Sequence, residues 1–151
     1  MRFLSSIDIS ASGLTAQRLR MDTIANNMAN AETTRVENGN GPYRRQVVVF
    51  EARQANNPKS FNSLLKDKMS TVGQGVRVKE IRSLEDNEAP FRRVYDPSHP
   101  DADIDGYVNY PNVNIVEEMI NMISATRSYE ANAKVIEATK SMVLKALEIG
   151  R

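Results

Sequence analysis

Apolar residues recur at alternating spacings of four and three near both ends of the chain. One series runs from Ile7 to Met28, and the other runs from Ile115 to Leu147. This spacing is that of the a and d positions of a coiled coil, which repeats about every 3.5 residues. The pattern predicts two long amphipathic helices that pack against each other or against neighbouring molecules. The residues expected to pack in this way are Ile7, Leu14, Met21, Met28, Met119, Met122, Tyr129, Ile136, Val143 and Leu147.

The first helix is expected to begin near Ser5 or Ser6. Ser5, with Asp8 three residues later, has the spacing of a capping box. The helix is expected to end at about Ala31. Gly13 inside it costs about 1 kcal/mol relative to alanine, so this helix needs a partner surface.

The last helix is expected to begin at Asn114, whose side chain can cap it with Glu117 in the reciprocal position, and to end at Gly150. Such a helix spans about 50 Å. Three apolar residues lie beside its a/d series and widen the apolar face: Val116, Ile120 and Ile123. One partner helix cannot cover a face of that width, so we expect contact with more than one neighbour.

The middle of the chain carries only short strand signals. A β-branched and aromatic run predicts a strand at residues 43–52. Weaker alternation predicts a second strand at residues 76–81, and residues 90–95 can form a third. Glycine, asparagine and proline predict a loop at residues 33–42, and two prolines predict a turn at residues 96–100. Residues 55–71 show no clear period and are expected to form a loop with a possible short turn.

Together these elements predict a mainly α protein. Its long N- and C-terminal helices are expected to pack as a coiled-coil-like pair, with a small β-rich or irregular middle segment. Residues 1–33 and 113–151 are expected to form one inner helical core domain. Residues 34–112 are expected to form an insert with a sheet of two or three strands.

Composition narrows the function classes. The 151 residues carry 20 basic and 19 acidic side chains, a balance that argues against general nucleic-acid binding. The absence of cysteine excludes disulfides and thiolate metal sites. No apolar run approaches the roughly 20 residues that span a bilayer, and the N-terminus lacks the apolar region of a secretory signal peptide. Export, if it occurs, is therefore expected to use another route.

Two clusters suggest chemistry but lack the features that chemistry requires. His99 lies beside Ser98 and Asp101, yet the nucleophile elbow and oxyanion hole of a hydrolase are missing. Residues 101–106 match the first half of an EF-hand loop, but its twelfth position is Asn112 instead of the bidentate glutamate. We therefore expect no catalytic residue, no metal and no cofactor.

Three motifs near the two ends resemble those of bacterial flagellar rod and hook proteins. Residues 25–34, A-N-N-M-A-N-A-E-T-T, match the N-terminal signature of that family. Residues 112–119, N-V-N-I-V-E-E-M, and residues 127–132, R-S-Y-E-A-N, match its C-terminal motifs. Within the family, the chain resembles the proximal-rod proteins most. Arg35 and Val36 stand where distal-rod and hook relatives carry a glycine and an aromatic residue.

The resemblance implies a structural subunit of the flagellar basal body, in the rod within the periplasm. There the terminal helices would assemble helically into a hollow drive shaft that transmits motor torque and forms part of the export channel. The implied partners are other proximal and distal rod subunits, copies of the same chain, and the flagellar type III export apparatus. Phe3 and Ile7 match a short export element, and no cleaved signal peptide is expected.

Asparagines near the helical seams are the expected polar contacts. Asn26, Asn27 and Asn30, near the end of the first helix, fit register-setting hydrogen bonds between packed helices. The residues that we predict for this role are Asn26, Asn30 and, in the last helix, Asn132. The heptads alone also permit a cytosolic coiled-coil adaptor. An enzyme or calcium-binding module centred on His99 or on residues 101–105 is a third hypothesis.

Overall fold

The computed structural model describes residues 2–36, 41–53, 73–85 and 88–150. Two long helices flank a small strand-containing middle region, which confirms the predicted fold class. In chain order the elements are α1 (Arg2–Ala29), β1 (Gln46–Ala52), β2 (Val76–Ser83), β3 (Arg92–Tyr95), β4 (Tyr107–Tyr110) and α2 (Ile115–Ile149).

The start of α1 differs from the prediction. The helix begins at Arg2, so Ser5 lies inside it instead of at its cap, and the predicted start at Ser5 or Ser6 is wrong. Serine costs little inside a helix, and a possible cap therefore does not fix where a helix begins. The helix ends at Ala29, close to the predicted end. A backbone hydrogen bond of 3.1 Å from Asn30 N to Asn26 O closes its last turn.

The start of α2 agrees with the prediction. Asn114 Oδ1 accepts a hydrogen bond of 3.0 Å from Val116 N, which confirms Asn114 as the cap. At the other end, Gly150 N donates to Ala146 O at 3.2 Å. Gly150 does not adopt a positive φ, so this helix ends without a left-handed residue.

The strands form two separate two-stranded sheets, β1–β2 and β3–β4, where the sequence predicted one. Strands β1, β2 and β3 lie within or near the predicted positions, but β4 was not predicted. The pair β3–β4 is antiparallel, with Arg92 opposite Tyr110 and Tyr95 opposite Tyr107. The predicted loop at residues 55–71 and part of the loop at 33–42 lie outside the described residues.

The chain divides into two compact units, each containing part of α1 and part of α2. The first unit comprises Met1–Arg18, Val49–Glu80 and Thr126–Arg151, and the second comprises Leu19–Val48 and Ile81–Ala125. The predicted division into a core of residues 1–33 and 113–151 with an insert stays a prediction.

Small side chains dominate the buried helix surface of the first unit. Ser10, Ser12 and Ala16 of α1 and Thr139 of α2 are buried. A Cβ added at Gly13 would lie 3.0 Å from the side-chain nitrogen and oxygen of Asn132, so the two helices approach closely there. The Ser12 hydroxyl also accepts a hydrogen bond of 3.1 Å from Val76 N, at the start of β2.

In the second unit, α1 and α2 run antiparallel. Arg20 donates to Asn121 Oδ1 at 3.3 Å, and Asn27, further along α1, bonds to Glu118, which is earlier in α2. The buried apolar side chains among its described residues include Ile24, Ala31, Val108 and Ala125. Among the described residues, neither helix is long and apolar enough to cross a membrane.

Candidate functional site

Asn27, near the end of α1, is only 1% exposed and bonds to three other residues. Its Oδ1 atom accepts hydrogen bonds from Gln46 N at 2.9 Å and from the Tyr43 hydroxyl at 2.8 Å. Its Nδ2 atom donates to Gln46 O at 2.8 Å and to Glu118 Oε2 at 3.0 Å. The amide therefore pairs with both backbone groups of Gln46, as a neighbouring strand would, and links the start of β1 to α2.

Glu118, in the first turn of α2, is also 1% exposed, and both of its carboxylate oxygens have partners. Oε1 accepts two hydrogen bonds from the guanidinium of Arg45, one of 2.9 Å from Nε and one of 2.5 Å from Nη2. Oε2 accepts the hydrogen bond from Asn27. A carboxylate this deeply buried is tolerated because a counter-charge and hydrogen bonds replace its hydration.

Asn112 connects the same region to two further segments. Its Oδ1 atom accepts a hydrogen bond of 3.1 Å from Arg45 N, and its Nδ2 atom donates to Ala89 O at 2.7 Å. Arg45 O accepts a hydrogen bond of 2.9 Å from Leu84 N. We name this set of side chains the polar cluster: Asn27, Tyr43, Arg45, Asn112 and Glu118.

The phenol of Tyr43, in the polar cluster, has a raised pKa. Burial raises the pKa of its phenol above the ordinary value, and the negative charge of Glu118 raises it further. The phenol donates to Asn27 and accepts a hydrogen bond of 3.2 Å from Asn26 Nδ2. The cluster thus consists of mutually satisfied donors and acceptors, an arrangement suited to fixing geometry.

The three predicted polar residues lie outside the polar cluster: Asn26 and Asn30 are in the second unit, and Asn132 is in the first. Asn26 is exposed and donates a hydrogen bond to the Tyr43 hydroxyl. Asn30 directly follows α1 and donates back to Asn26 in the last turn of that helix. Asn132 donates to Ser128 O at 2.9 Å, one turn back along α2, and its side chain packs beside Gly13.

The two most buried partners are Asn27 and Glu118. Asn27 was expected to fit a register-setting hydrogen bond but was not among the three candidates for that role, and Glu118 was not predicted to make such a contact. A signal for them was present in the sequence, because Asn27 lies in the motif at residues 25–34, whereas Glu118 and Asn112 lie in the motif at 112–119. The linear sequence does not indicate that these two motifs face each other.

The predicted apolar residues divide by exposure. Most are half-buried within the chain: Ile7, Leu14, Met21, Met28, Met122, Tyr129, Ile136 and Val143. Met119 and Leu147 are exposed. For the predicted export element, only Ile7 has a described side chain, and the side chain of Phe3 lies outside the description.

An extensive set of large apolar side chains on α2 faces solvent, which we name the apolar face of α2. Ile120, for example, is 63% exposed. The name covers five residues of the second unit that lie on one side of the helix: Ile115, Val116, Met119, Ile120 and Ile123. In the first unit Val135, Met142, Leu144, Leu147 and Ile149 are also exposed, but they are distributed around the helix. Exposed apolar patches of this kind mark interaction sites, whereas scattered single residues do not.

His99 and Asp101, one residue from each of the two candidate chemical clusters, make structural contacts. His99 Nδ1 accepts a hydrogen bond of 3.1 Å from Asp101 N, and its ring lies 6.2 Å from that of Tyr110. The carboxylate of Asp101 pairs with Arg35 and accepts a hydrogen bond of 2.8 Å from the Thr34 hydroxyl. Within the described ranges, no group of three or more histidine or acidic side chains is placed to hold a metal ion.

Two family models match segments that contain three residues of the polar cluster, Asn27, Asn112 and Glu118; Tyr43 and Arg45 lie between the matched segments. The model described as Flagella basal body rod protein matches residues 7–35, which include Asn27. The model described as Flagellar basal body rod FlgEFG protein C-terminal matches residues 104–149, which include Glu118.

Curated relatives are similar over the full length. The chain is 50% identical to the flagellar basal-body rod protein FlgC of Borreliella burgdorferi, with 99% of this chain and 98% of the relative covered. It is 45% identical to the protein of the same name from Bacillus subtilis and 38% identical to that from Salmonella typhimurium, with 100% of each chain covered in both pairs.

Proposed function

This chain belongs to the FlgC family of flagellar basal-body rod proteins and is a structural subunit of the proximal rod, in which we propose that it assembles through its terminal helices. The observation that carries this proposal is the apolar face of α2. Its side chains, such as Ile120 and Ile123, are more than half exposed, and each would contribute about 1–2 kcal/mol if a neighbour buried the rest of its surface.

The polar cluster supports the same assembly role by preorganising the subunit. Asn27 and Glu118 fix the end of α1 relative to the first turn of α2. A surface whose backbone is already fixed loses less conformational entropy when it binds. We infer that the polar cluster holds the apolar face of α2 in one geometry, ready to contact the next subunit.

The partners that we propose are other proximal and distal rod subunits and copies of this chain. A helical assembly requires one patch to meet a different patch on the next molecule, and the long α2 offers such a patch. In the rod the subunit would help to transmit torque from the motor and to enclose the export channel. The half-buried seam residues, including Met122 and Ile136, would complete the packing of the helices.

We also propose that the subunit reaches the periplasm through the flagellar type III export apparatus, without a cleaved signal peptide. Phe3 and Ile7 are the residues proposed for recognition by that apparatus. Replacement of both by alanine should lower the amount of subunit exported into the periplasm while leaving its cytoplasmic synthesis unchanged. Normal export of that variant would remove these two residues from the proposal.

Ile120→Asp tests the assembly role. Because Ile120 is exposed, the variant should retain the helical content of the parent, yet the buried aspartate should block incorporation into the rod. The measurement is the amount of subunit in purified hook–basal bodies, together with swimming motility. Lys134→Asp, at an exposed polar position of the same helix, is the matched control and should incorporate normally.

Normal incorporation of Ile120→Asp would contradict assembly through the apolar face. A cytosolic coiled-coil adaptor would instead leave the parent chain in the cytoplasm, absent from purified basal bodies. The full-length similarity to rod proteins does not favour that alternative.

A further inference from the structure

One face of the β3–β4 hairpin presents an arginine and two tyrosines to solvent. Because side chains alternate along a strand, Arg93 and Tyr95 share a face, and Tyr107 lies directly opposite Tyr95 on β4. The intervening Val94 pairs with Val108, which is buried, so it belongs to the opposite face. We name the solvent-facing set the arginine–tyrosine face: Arg93, Tyr95 and Tyr107.

The arginine–tyrosine face is ordered before any partner binds. The rings of Tyr95 and Tyr107 pack edge to face, with centroids 5.3 Å apart, and the guanidinium carbon of Arg93 lies 5.0 Å from the centroid of the Tyr107 ring. Tyr95 nevertheless remains 65% exposed. Tyrosine and arginine are the residues enriched in the energetic centres of protein interfaces, where rigid side chains lose little entropy on binding.

Arg93 has no carboxylate partner in its own chain among the described residues. The neighbouring arginine of β3, Arg92, also makes a cation–π contact, with the ring of Tyr110. The arginine–tyrosine face therefore offers an uncompensated positive charge beside exposed aromatic rings. A complementary partner would bring carboxylates together with an apolar side chain.

The connection between β3 and β4 has that complementary chemistry. Ile104 is fully exposed, and it is flanked by the exposed residues Asp103 and Asp105. Within the described part of the chain, neither carboxylate takes part in an ion pair or side-chain hydrogen bond. The backbone beneath them is fixed, since Asp103 N donates to Tyr107 O at 2.8 Å. We name these three residues the acidic turn.

We propose that the arginine–tyrosine face of one copy binds the acidic turn of a second copy of this chain. Ile104 lies against the rings of Tyr95 and Tyr107, and the flanking carboxylates approach Arg93. Both halves of the contact lie on the chain itself, and their charges are opposite. Such complementarity fixes which surfaces meet more strongly than it raises affinity.

The inference rests on the proposed function, because a rod built from repeated subunits brings different patches of neighbouring copies together. It adds a contact in the middle of the chain to the contacts proposed for the terminal helices. The proposed partner is a second copy of this chain, so binding of a different rod subunit to the arginine–tyrosine face would overturn the proposal.

Disulfide trapping tests the contact directly, because the chain has no cysteine of its own. Two cysteine variants are needed. Asn109→Cys places a thiol on the arginine–tyrosine face, because Asn109 pairs with Arg93 across the two strands, and Ile104→Cys places one in the acidic turn. When the two variants carry different tags and are mixed under mild oxidation, the mixed dimer should exceed both same-variant dimers several-fold. Glu80→Cys, at an exposed position of β2, replaces Asn109→Cys in the control and should give no such excess.

Charge reversal distinguishes a specific contact from random collision. Adding Arg93→Glu to the Asn109→Cys chain should reduce the mixed dimer several-fold. Adding Asp103→Lys with Asp105→Lys to the Ile104→Cys chain should reduce it similarly, and combining the two reversed chains should restore it. Restoration supports the proposal, whereas its failure with chains of unchanged circular dichroism overturns it.

The same cysteine pair in one chain separates this inference from the proposed function when it is expressed in cells. A crosslinked product of two copies in purified hook–basal bodies supports the contact. A crosslink to another rod subunit, or normal incorporation without any crosslink, overturns the contact but leaves the rod function intact. Absence of the parent chain from the basal bodies would instead refute the proposed function.

Discussion

Asn27 and Glu118 join the two helices through a hydrogen bond of 3.0 Å between the Asn27 Nδ2 donor and the Glu118 Oε2 acceptor. Both residues are almost completely buried, so neither can exchange its partner for water. Each lies in a segment matched by a different flagellar rod family model. This pair therefore links two segments that are distant in sequence, and it provides the first prediction.

Asn27→Ala should lower the free energy of unfolding by about 2–4 kcal/mol. The substitution leaves the Glu118 carboxylate and both backbone groups of Gln46 without the partners that Asn27 supplies. Urea denaturation followed by circular dichroism measures the change. Asn26→Ala is the control: Asn26 is exposed, and its loss should cost less than about 1 kcal/mol. Equal losses for the two variants would contradict a dominant role for Asn27.

Arg45→Met should destabilise the protein by about 3–5 kcal/mol, because it leaves the buried Glu118 carboxylate without a counter-charge. The double variant Arg45→Met/Glu118→Gln should be less destabilised than the sum of the two single variants, since it contains no isolated buried charge. A double-mutant cycle from urea denaturation measures this coupling energy.

The exposed pair Arg77 and Glu51, at 2.8 Å, provides the matched comparison for that cycle. Its coupling energy should be only about 0.2–1 kcal/mol, because water screens both charges. A coupling at the buried pair no larger than at this exposed pair would show that burial does not strengthen the interaction of Arg45 with Glu118.

Because the pKa of Tyr43 is raised in the folded state, we expect the protein to lose stability at alkaline pH. Burial, and secondly the charge of Glu118, raise the pKa of the folded-state phenol above 10.0, whereas the unfolded chain ionises at that ordinary value. The folded state therefore retains the proton longer, so the contribution to stability is complete below pH 10 and declines as the pH rises through the folded-state pKa. Urea denaturation at a series of alkaline pH values measures this decline.

Tyr43→Phe isolates that contribution from other alkaline effects. The variant should be less stable at neutral pH by about 0.5–1.5 kcal/mol, because it lacks the hydrogen bond to Asn27. Above pH 10 its stability should fall less steeply than that of the parent. Parallel pH profiles would mean that the phenol titrates alike in both states.

The helices could be predicted from sequence because their signal is periodic and long. The seam from Ile115 to Leu147 repeats over many turns, and Asn114 supplies a local cap that the structure contains. The start of α1 was predicted incorrectly because serine is compatible with both a cap and a helix interior. Short elements were less predictable: β4 has only four residues, too few to show a clear alternation of apolar and polar positions.

The polar cluster could be predicted only in part. Asparagines near the end of α1 suggested polar contacts, but the choice among Asn26, Asn27 and Asn30 depends on which one faces Gln46 and Glu118. That orientation follows from the antiparallel placement of α1 and α2 in the second unit. The sequence gives each motif separately, whereas the hydrogen bonds require their relative positions.

Gly13 and Asn132 provide the last prediction, which concerns close helix packing in the first unit. Gly13→Ala gains about 1 kcal/mol in helix propensity but places its Cβ 3.0 Å from the Asn132 side chain, so the net change in unfolding free energy should be near zero. In an Asn132→Ala background the crowding is absent, and Gly13→Ala should stabilise by about 1 kcal/mol. Thermal and urea denaturation of the four variants measure the difference; an equal effect of Gly13→Ala in both backgrounds would show that Asn132 does not restrict this position.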